Sequence, residues 1–358
     1  WIFFLNVPIS RLSLYTSSRI VEDSPYVKKQ VDESKKHGIK LDFLGFGLLA
    51  LTFGSLEFVL DKGQEDDWFS SHLITFFTVA CVLAFVFMIW WELRQLRTGH
   101  RPIINLTLFK RRSFAISFSL MFVLGFALYG TTILIPLFVQ TLLGYTAELA
   151  GLVLSPAGFM MMAMMPVVGF LVGRVDPRKL IAFGFLLLTS ALMEMHTLNL
   201  GVSYSYLVFV RCFQASGLAF LFIPINTIAY IGVKQSENND VSGLTNLARN
   251  IGGSFGTAFM ATMLTRRTAA HETNMVRNLT TANPAFNEQV NALKHAFGHG
   301  QQAVHTAQAF IYNQLHRQAA MLAYLDIIQY LAVFCACMIP LIFFIPRPPK
   351  HASPSVGH

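Results

Sequence analysis

Apolar residues along the chain gather into long runs separated by short polar connectors. A bilayer span needs about 20 such residues. Nine stretches approach that length: 2–21, 41–60, 71–91, 113–139, 148–173, 180–200, 204–232, 243–264 and 322–345. The first is the weakest, because Arg11, Ser13, Ser17, Ser18 and Arg19 interrupt it. The pattern predicts an all-α polytopic membrane protein with about nine transmembrane helices. Two neighbouring spans, 204–232 and 243–264, organise the rest. Each carries an arginine, Arg211 and Arg249, that hydrocarbon should exclude. A charge at the centre of a membrane helix costs at least about 2.5–3.5 kcal/mol, so it usually faces a cavity or a partner. The same spans hold the amides Gln214, Asn226, Asn246 and Asn250, the helix breaker Pro224 and the closely set Gly252, Gly253 and Gly256. Such residues suit helices that line a pathway and pack closely.

Composition agrees with the pattern. Of 358 residues, 54% are hydrophobic and 13% charged, with a mean hydropathy of +0.51. A soluble domain carries roughly 25% charged residues. Loop charges orient the spans. With 23–40 cytoplasmic, the inner segments hold 17 lysines and arginines and the outer segments 6, five of them in one long loop. The net charge of +8 then reflects topology and anionic lipid, and nucleic-acid binding is not expected. The C-terminus falls on the cytoplasmic side. Cys81, Cys212, Cys335 and Cys337 lie in apolar spans without metal-type spacing and read as buried thiols. No metal site is expected. The chain opens at Trp1 inside an apolar run, which reads as the C-terminal part of a longer protein.

The outer loop 265–320 is rich in Ala, Gln, Asn and His. Helical spacing over 285–297 and again over about 303–320, with Gly298 and Gly300 between, predicts a helical hairpin above the membrane. His271, His295, His299, His305 and His316 could bind metal or sense pH. A solvated helical surface is the preferred reading, because no carboxylate or cysteine clusters with them. Asn278-Leu279-Thr280 fits a glycosylation acceptor, a short pattern that carries little weight. The tail 346–358 is Pro- and Ser-rich and predicted to be disordered.

Several stretches resemble one family. WIFFLNVPI resembles the sixth helix of the 14-helix drug:proton antiporters of the major facilitator superfamily, the EmrB/QacA type. LDFLGFGLLALTFGSLEFVLDKGQEDDWFSS resembles the first of its two extra central helices. PIINLTLFKRRSF resembles the start of its second half, and FIPINTIAY and NLARNIGGSFGTA its late helices. The long outer loop before the last helix fits the EmrB branch. The resemblance implies a major facilitator fold, here its C-terminal half plus the two extra helices. It divides the chain into a last N-terminal-half helix (1–22), a cytoplasmic linker (23–40), two extra helices (41–92), a basic cytoplasmic loop (93–112), a six-helix bundle (113–345) and the tail (346–358).

Motif residues carry over one by one. Arg211, Gln214 and Gly217 match an R-x-x-Q-x-x-G pattern whose arginine the family implicates in proton transfer; Ala215 stands where that motif has glycine. Gly169, Leu171, Arg174 and Arg178 match the inner gating loop, with Gly173 in place of its aspartate and Asp176 in place of its glycine. A short positive-inside turn is the alternative for that loop.

The candidates for the substrate or proton pathway are Arg211, Gln214, Asn226, Tyr129, Gln140 and Asp326. Arg211 has no acid near it in sequence, so its partner is expected from another helix; its other reading is a helix contact through a backbone carbonyl. Arg249 is expected to snorkel to the cytoplasmic face or to clamp with Asn246. Asp326, Glu57 and Glu194 lie near the outer ends of their spans, where a cap or loop contact is expected. Gly252, Gly253 and Gly256 are expected at a close helix contact, and Arg174, Asp176 and Arg178 in gating. Pro136, Pro156, Pro166 and Pro224 are expected to break their spans, as near a midplane binding site. The methionines at 160–162, 164 and 165 could line an adaptable pocket or simply pack.

The function the resemblance implies is proton-coupled export of hydrophobic compounds across the bacterial inner membrane by alternating access. Protons are the coupling ion and no other cofactor is expected. Loop 265–320 would dock a periplasmic adaptor leading to an outer-membrane channel. A dedicated exporter of one metabolite or siderophore is the alternative. A membrane-embedded enzyme would need paired catalytic residues one turn apart in a span, and no span has them. The chain also has no phosphate loop for ATP.

Overall fold

The computed structural model describes residues 2–20, 42–98, 102–277, 279–280, 283–297 and 301–345. The linker 23–40, the Gly298–Gly300 break, Asn278, His299 and the tail 346–358 lie outside the described residues. Among those described, the regular structure is entirely helical. Helix α1 (Ile2–Ile20) lies in one compact unit, and the described residues from Gly45 onward make up the other. In α1 two hydroxyls turn back on their own backbone: Thr16 donates to the Leu12 carbonyl at 2.7 Å and Ser18 to that of Tyr15 at 2.8 Å. Polar residues in an apolar helix are tolerated when satisfied in this way.

The larger unit contains α2 (Phe43–Lys62) from Gly45 on, α3 (His72–Arg97), α4 (Arg112–Thr141), α5 (Ala147–Val172), α6 (Pro177–Met195), α7 (Tyr204–Ala229), α8 (Asn238–Val276), α9 (Pro284–Phe297), α10 (Gln301–Cys337) and the short α11 (Ile339–Ile342). Their starts follow ordinary capping chemistry. Thr146 caps α5, Ser203 caps α7, and Asp176 with Pro177 behind it caps α6.

Six of these helices are long and apolar enough to cross a membrane: α2, α3, α4, α5, α7 and the stretch Gln302–Ile342. Helices α1, α6 and α8 fall short by that measure. Arg178 and Lys179 at one end of α6 and Glu194 at the other load its 19 residues with charge, and α8 carries polar residues over much of its 39. The prolines do not break their helices. Pro136 lies within α4, both Pro156 and Pro166 within α5, and Pro224 within α7. Neighbouring helices and local adjustment can accommodate a missing amide in this way.

Helix α7 is the most enclosed span, with 67% of its apolar window buried against 17% for α3 and α5. It packs against α5 and α6, while α4 packs against α8, and α10 against α6 and α8. The core includes Leu120, Leu124, Phe138, Phe185, Leu188, Leu221, Ile225 and Ile327. Large apolar side chains elsewhere point outward, Phe343 at 83% and Phe43 at 77% exposure among them. On a soluble protein such a surface would drive association; in a bilayer it faces lipid. The cysteines differ from their expected uniform burial: only Cys335 is buried, Cys81 and Cys212 are half-buried, and Cys337 is exposed.

The predicted outer loop is largely helix. Its first residues continue α8 to Val276, since Ala-, Arg- and Met-containing sequence sustains a helix outside the apolar zone. Helices α9 and α10 then pack through Val290, Ala307 and Ile311.

Candidate functional site

Arg211 and Gln214 are one turn apart on α7, and both point inward. Arg211 is 8% exposed and Gln214 wholly buried. Arg211 Nη1 donates to Gln214 Oε1. Gln214 Nε2 donates to Thr131 Oγ1 on α4 at 2.9 Å, and Thr131 donates to the Ala127 carbonyl at 2.7 Å. A line of donors therefore runs from a guanidinium to the backbone of α4. The partner of Arg211 is an amide of its own helix rather than an acid of another. The i,i+3 spacing supplies that neighbour at little conformational cost. Arg211 Nε has no hydrogen-bond partner among the described residues. A buried charge with a spare donor can attract an anionic or accepting group.

The glycine of the same motif sets the depth of α7. A methyl group at Gly217 would come within 2.8 Å of the Leu188 backbone nitrogen on α6. Its absence lets the two backbones meet and holds Arg211 inside the bundle. Asn226, Tyr129 and Gln140 take no part in the hydrogen bonds of this network. Asn226 donates to the Phe222 carbonyl on its own helix at 3.0 Å. Tyr129 lays its ring beside Gly253, and Gln140 is exposed at the end of α4.

The α4–α8 contact is built on glycine. A Cβ at Gly252 would strike the Phe122 carbonyl, one at Gly256 the Phe126 carbonyl, and one at Gly125 the Arg249 carbonyl. Arg249 does not clamp Asn246. Its guanidinium lies 5.5 Å from the Phe222 ring centroid, and Asn246 bonds back to the Ser242 carbonyl at 3.0 Å. A cation over an aromatic face is the cheaper arrangement in an apolar setting.

The gating-loop residues take up local roles. Asp176 accepts from the Arg178 amide at 3.0 Å as the α6 cap, and Arg174 lies 3.9 Å over the Phe170 ring. Arg178 Nε and Nη2 are buried without a partner among the described residues. A second tie joins the segment before α4 to the α7–α8 connector. Arg111 donates to Glu237 at 2.9 Å and to the Gly232 carbonyl at 2.6 Å. Gly232 has φ +72°, a left-handed conformation that favours glycine and aims its carbonyl at Arg111.

In the second half of α10, Asp326 is the centre of an ion cluster. Arg267 Nε donates to its Oδ2 at 2.7 Å, and His271 Nε2 lies 2.7 Å from the same oxygen. Glu272 accepts from the Tyr312 hydroxyl and lies 3.2 Å from His316 Nδ1. The expectation that no carboxylate clusters with the loop histidines is thus corrected: folding brings Asp326 to His271 and Glu272 to His316. Sequence reasoning also missed Thr131, Ser254, which donates to Glu57, and Glu92, buried and accepting from the Ile104 amide at 3.3 Å. Glu194 accepts from the Tyr206 hydroxyl at 3.0 Å. A carboxylate in an apolar run marked Glu57 and Glu92, but nothing local marked Thr131 or Ser254.

A sequence profile described as Major Facilitator Superfamily matches residues 2–257. The chain belongs to the Major Facilitator Superfamily. Relatives within this superfamily match nearly all of it. The Multidrug export protein EmrB of Escherichia coli K12 is 30% identical over 350 residues, covering 97% of this chain and 65% of the relative. The Probable multidrug resistance protein EmrY of the same organism is 27% identical over 349 residues, again 97% and 65%. The Fatty acid resistance protein FarB of Neisseria gonorrhoeae is 27% identical over 355 residues, 98% and 66%. The chain therefore spans about two thirds of the length of these superfamily members.

Proposed function

We propose that this chain forms the C-terminal half and central helices of a proton-coupled antiporter that exports hydrophobic compounds. It would be a secondary transporter, not an enzyme, moving substrate across the bacterial inner membrane by alternating access. The observation that carries this reading is the buried Arg211–Gln214–Thr131 network inside a superfamily bundle. The names of the relatives support multidrug or fatty-acid cargo. In this reading the C-terminus is cytoplasmic, as the loop charges favour. Arg211 attracts substrate or poises the coupling proton, whose acceptor acid the family places in its first helix. The glycine-packed α4–α8 pair moves as one body. Helices α9 and α10 present the outer surface on which a periplasmic adaptor would dock and lead to an outer-membrane channel.

Full-length protein in proteoliposomes tests this. An imposed pH gradient should drive a fluorescent hydrophobic cation or a labelled fatty acid in wild type and not in Arg211→Ala. Equal movement in folded wild type and variant would make Arg211 structural. Wild type that moves neither probe under any gradient would remove the multidrug reading and favour a single-metabolite exporter.

A further inference from the structure

The outer part of α8 meets α10 through two carboxylate–histidine pairs. In the first, Asp326 Oδ2 lies 2.7 Å from His271 Nε2 and takes Arg267 at 2.5–2.7 Å. In the second, Glu272 faces His316 at 3.2 Å and accepts from Tyr312. Each carboxylate has one donor present at every physiological pH, Arg267 or Tyr312, and one imidazole whose charge depends on pH. His271 and Glu272 are adjacent on α8, so the two pairs reach different stretches of α10 from one turn. We propose that these pairs form a proton-controlled clasp between α8 and α10. Imidazolium at mildly acidic pH closes it, and neutral imidazole loosens it.

The surroundings concentrate this response at the histidines. From α10 the other facing groups are Arg317, which donates to the Leu142 carbonyl at the end of α4 at 2.6 Å, and Tyr330, 6.0 Å under the Arg267 guanidinium. From α6, His196 Nδ1 meets the Leu325 carbonyl at 3.1 Å and so faces a dipole rather than a carboxylate. Imidazoles ordinarily titrate near about pH 6.5, the only side chains that do so unperturbed in the physiological range. The Tyr312 hydrogen bond, with help from His316, holds the Glu272 carboxyl below its usual range. A depressed carboxyl contributes stability above its unfolded value and loses it as pH falls through the folded value. The clasp is therefore tightest in mildly acid solution. It weakens above that as the histidines discharge and far below it as the carboxylates protonate.

The orientation proposed above places this end of the bundle outside. There an energised membrane keeps the solution more acid. The clasp then responds to the same gradient that drives export.

The test is conformational and does not depend on transport. Spin labels go on Ala270→Cys and Asn313→Cys, both exposed positions, in full-length protein in nanodiscs with Cys81, Cys212, Cys335 and Cys337 replaced. The distance distribution should be narrow at pH 5.5 and broaden toward pH 8. The His271→Gln/His316→Gln double variant, which keeps hydrogen-bonding capacity, should lose that dependence. His196→Gln should keep it. A wild type that does not respond, or a double variant that responds like wild type, overturns the proposal. If the double variant misfolds, His316→Gln alone, at an exposed ring, must still reduce the broadening.

Discussion

Helices α4 and α8 touch backbone to backbone, and Gly252→Ala probes that contact directly. The added methyl group meets the carbonyl of Phe122 and comes within 2.9 Å of its Cα. Overpacking a tight interior costs about 1–3 kcal/mol. The upper part of that range applies here, because a backbone carbonyl cannot rotate aside. Gly243 on the same helix is the control. A methyl group there meets nothing within 4 Å, and alanine in a helix interior gains about 0.5–1 kcal/mol over glycine. The two variants should differ by roughly 2–4 kcal/mol, about 30- to 700-fold in the folded-to-unfolded ratio. Gly253→Ala should fall between them. Its methyl would lie 2.5 Å from Tyr129 Cδ2, a side chain that can move. Tyr129→Ala should therefore rescue Gly253→Ala and not Gly252→Ala. Unfolding in mixed micelles, followed by tryptophan fluorescence and far-ultraviolet circular dichroism, reads all of these. Gly252→Ala as stable as Gly243→Ala would refute backbone contact as the reason for glycine there.

Gln214→Leu strips Arg211 of its partner and should cost about 1.5–3 kcal/mol, the range for a hydrogen bond to a charged group. Thr131→Val should cost less, about 0.5–1.5 kcal/mol, since it removes a neutral acceptor; a double variant whose cost equals the sum would argue against a connected network. Arg111→Ala removes an ion pair that is partly exposed, with side chains 30% and 20% accessible, together with the Gly232 carbonyl bond. The ion pair deserves little after screening, so about 1 kcal/mol is expected, mostly from the carbonyl bond. Amide exchange should quicken over 232–237 and leave α4 and α8 unchanged; uniform quickening would mean a global effect.

The linear sequence determined where the helices lie and what surrounds them. Hydrophobic runs of membrane length set the spans, because hydrocarbon demands internally bonded backbone and apolar surface. Charge asymmetry in the loops suggested an orientation, and Asp176–Pro177, Thr146 and Ser203 marked helix starts through local capping. Arg211 and the glycines at 252, 253 and 256 were legible as exceptions to an apolar pattern, and their importance followed from the cost of a buried charge and the absence of a Cβ. Local pattern could not say whom these residues meet. Gln214 reaches Thr131 across 83 positions, His271 reaches Asp326 across 55, and His316 reaches Glu272 across 44. Only the crossing of α7 with α4 and of α8 with α10 makes those pairs. The same packing turned Arg249 onto Phe222 and let the prolines remain inside continuous helices. Helix formation depends on neighbours a few residues apart and can be read along the chain. Partner choice depends on which faces oppose each other after folding, and that belongs to the tertiary structure alone.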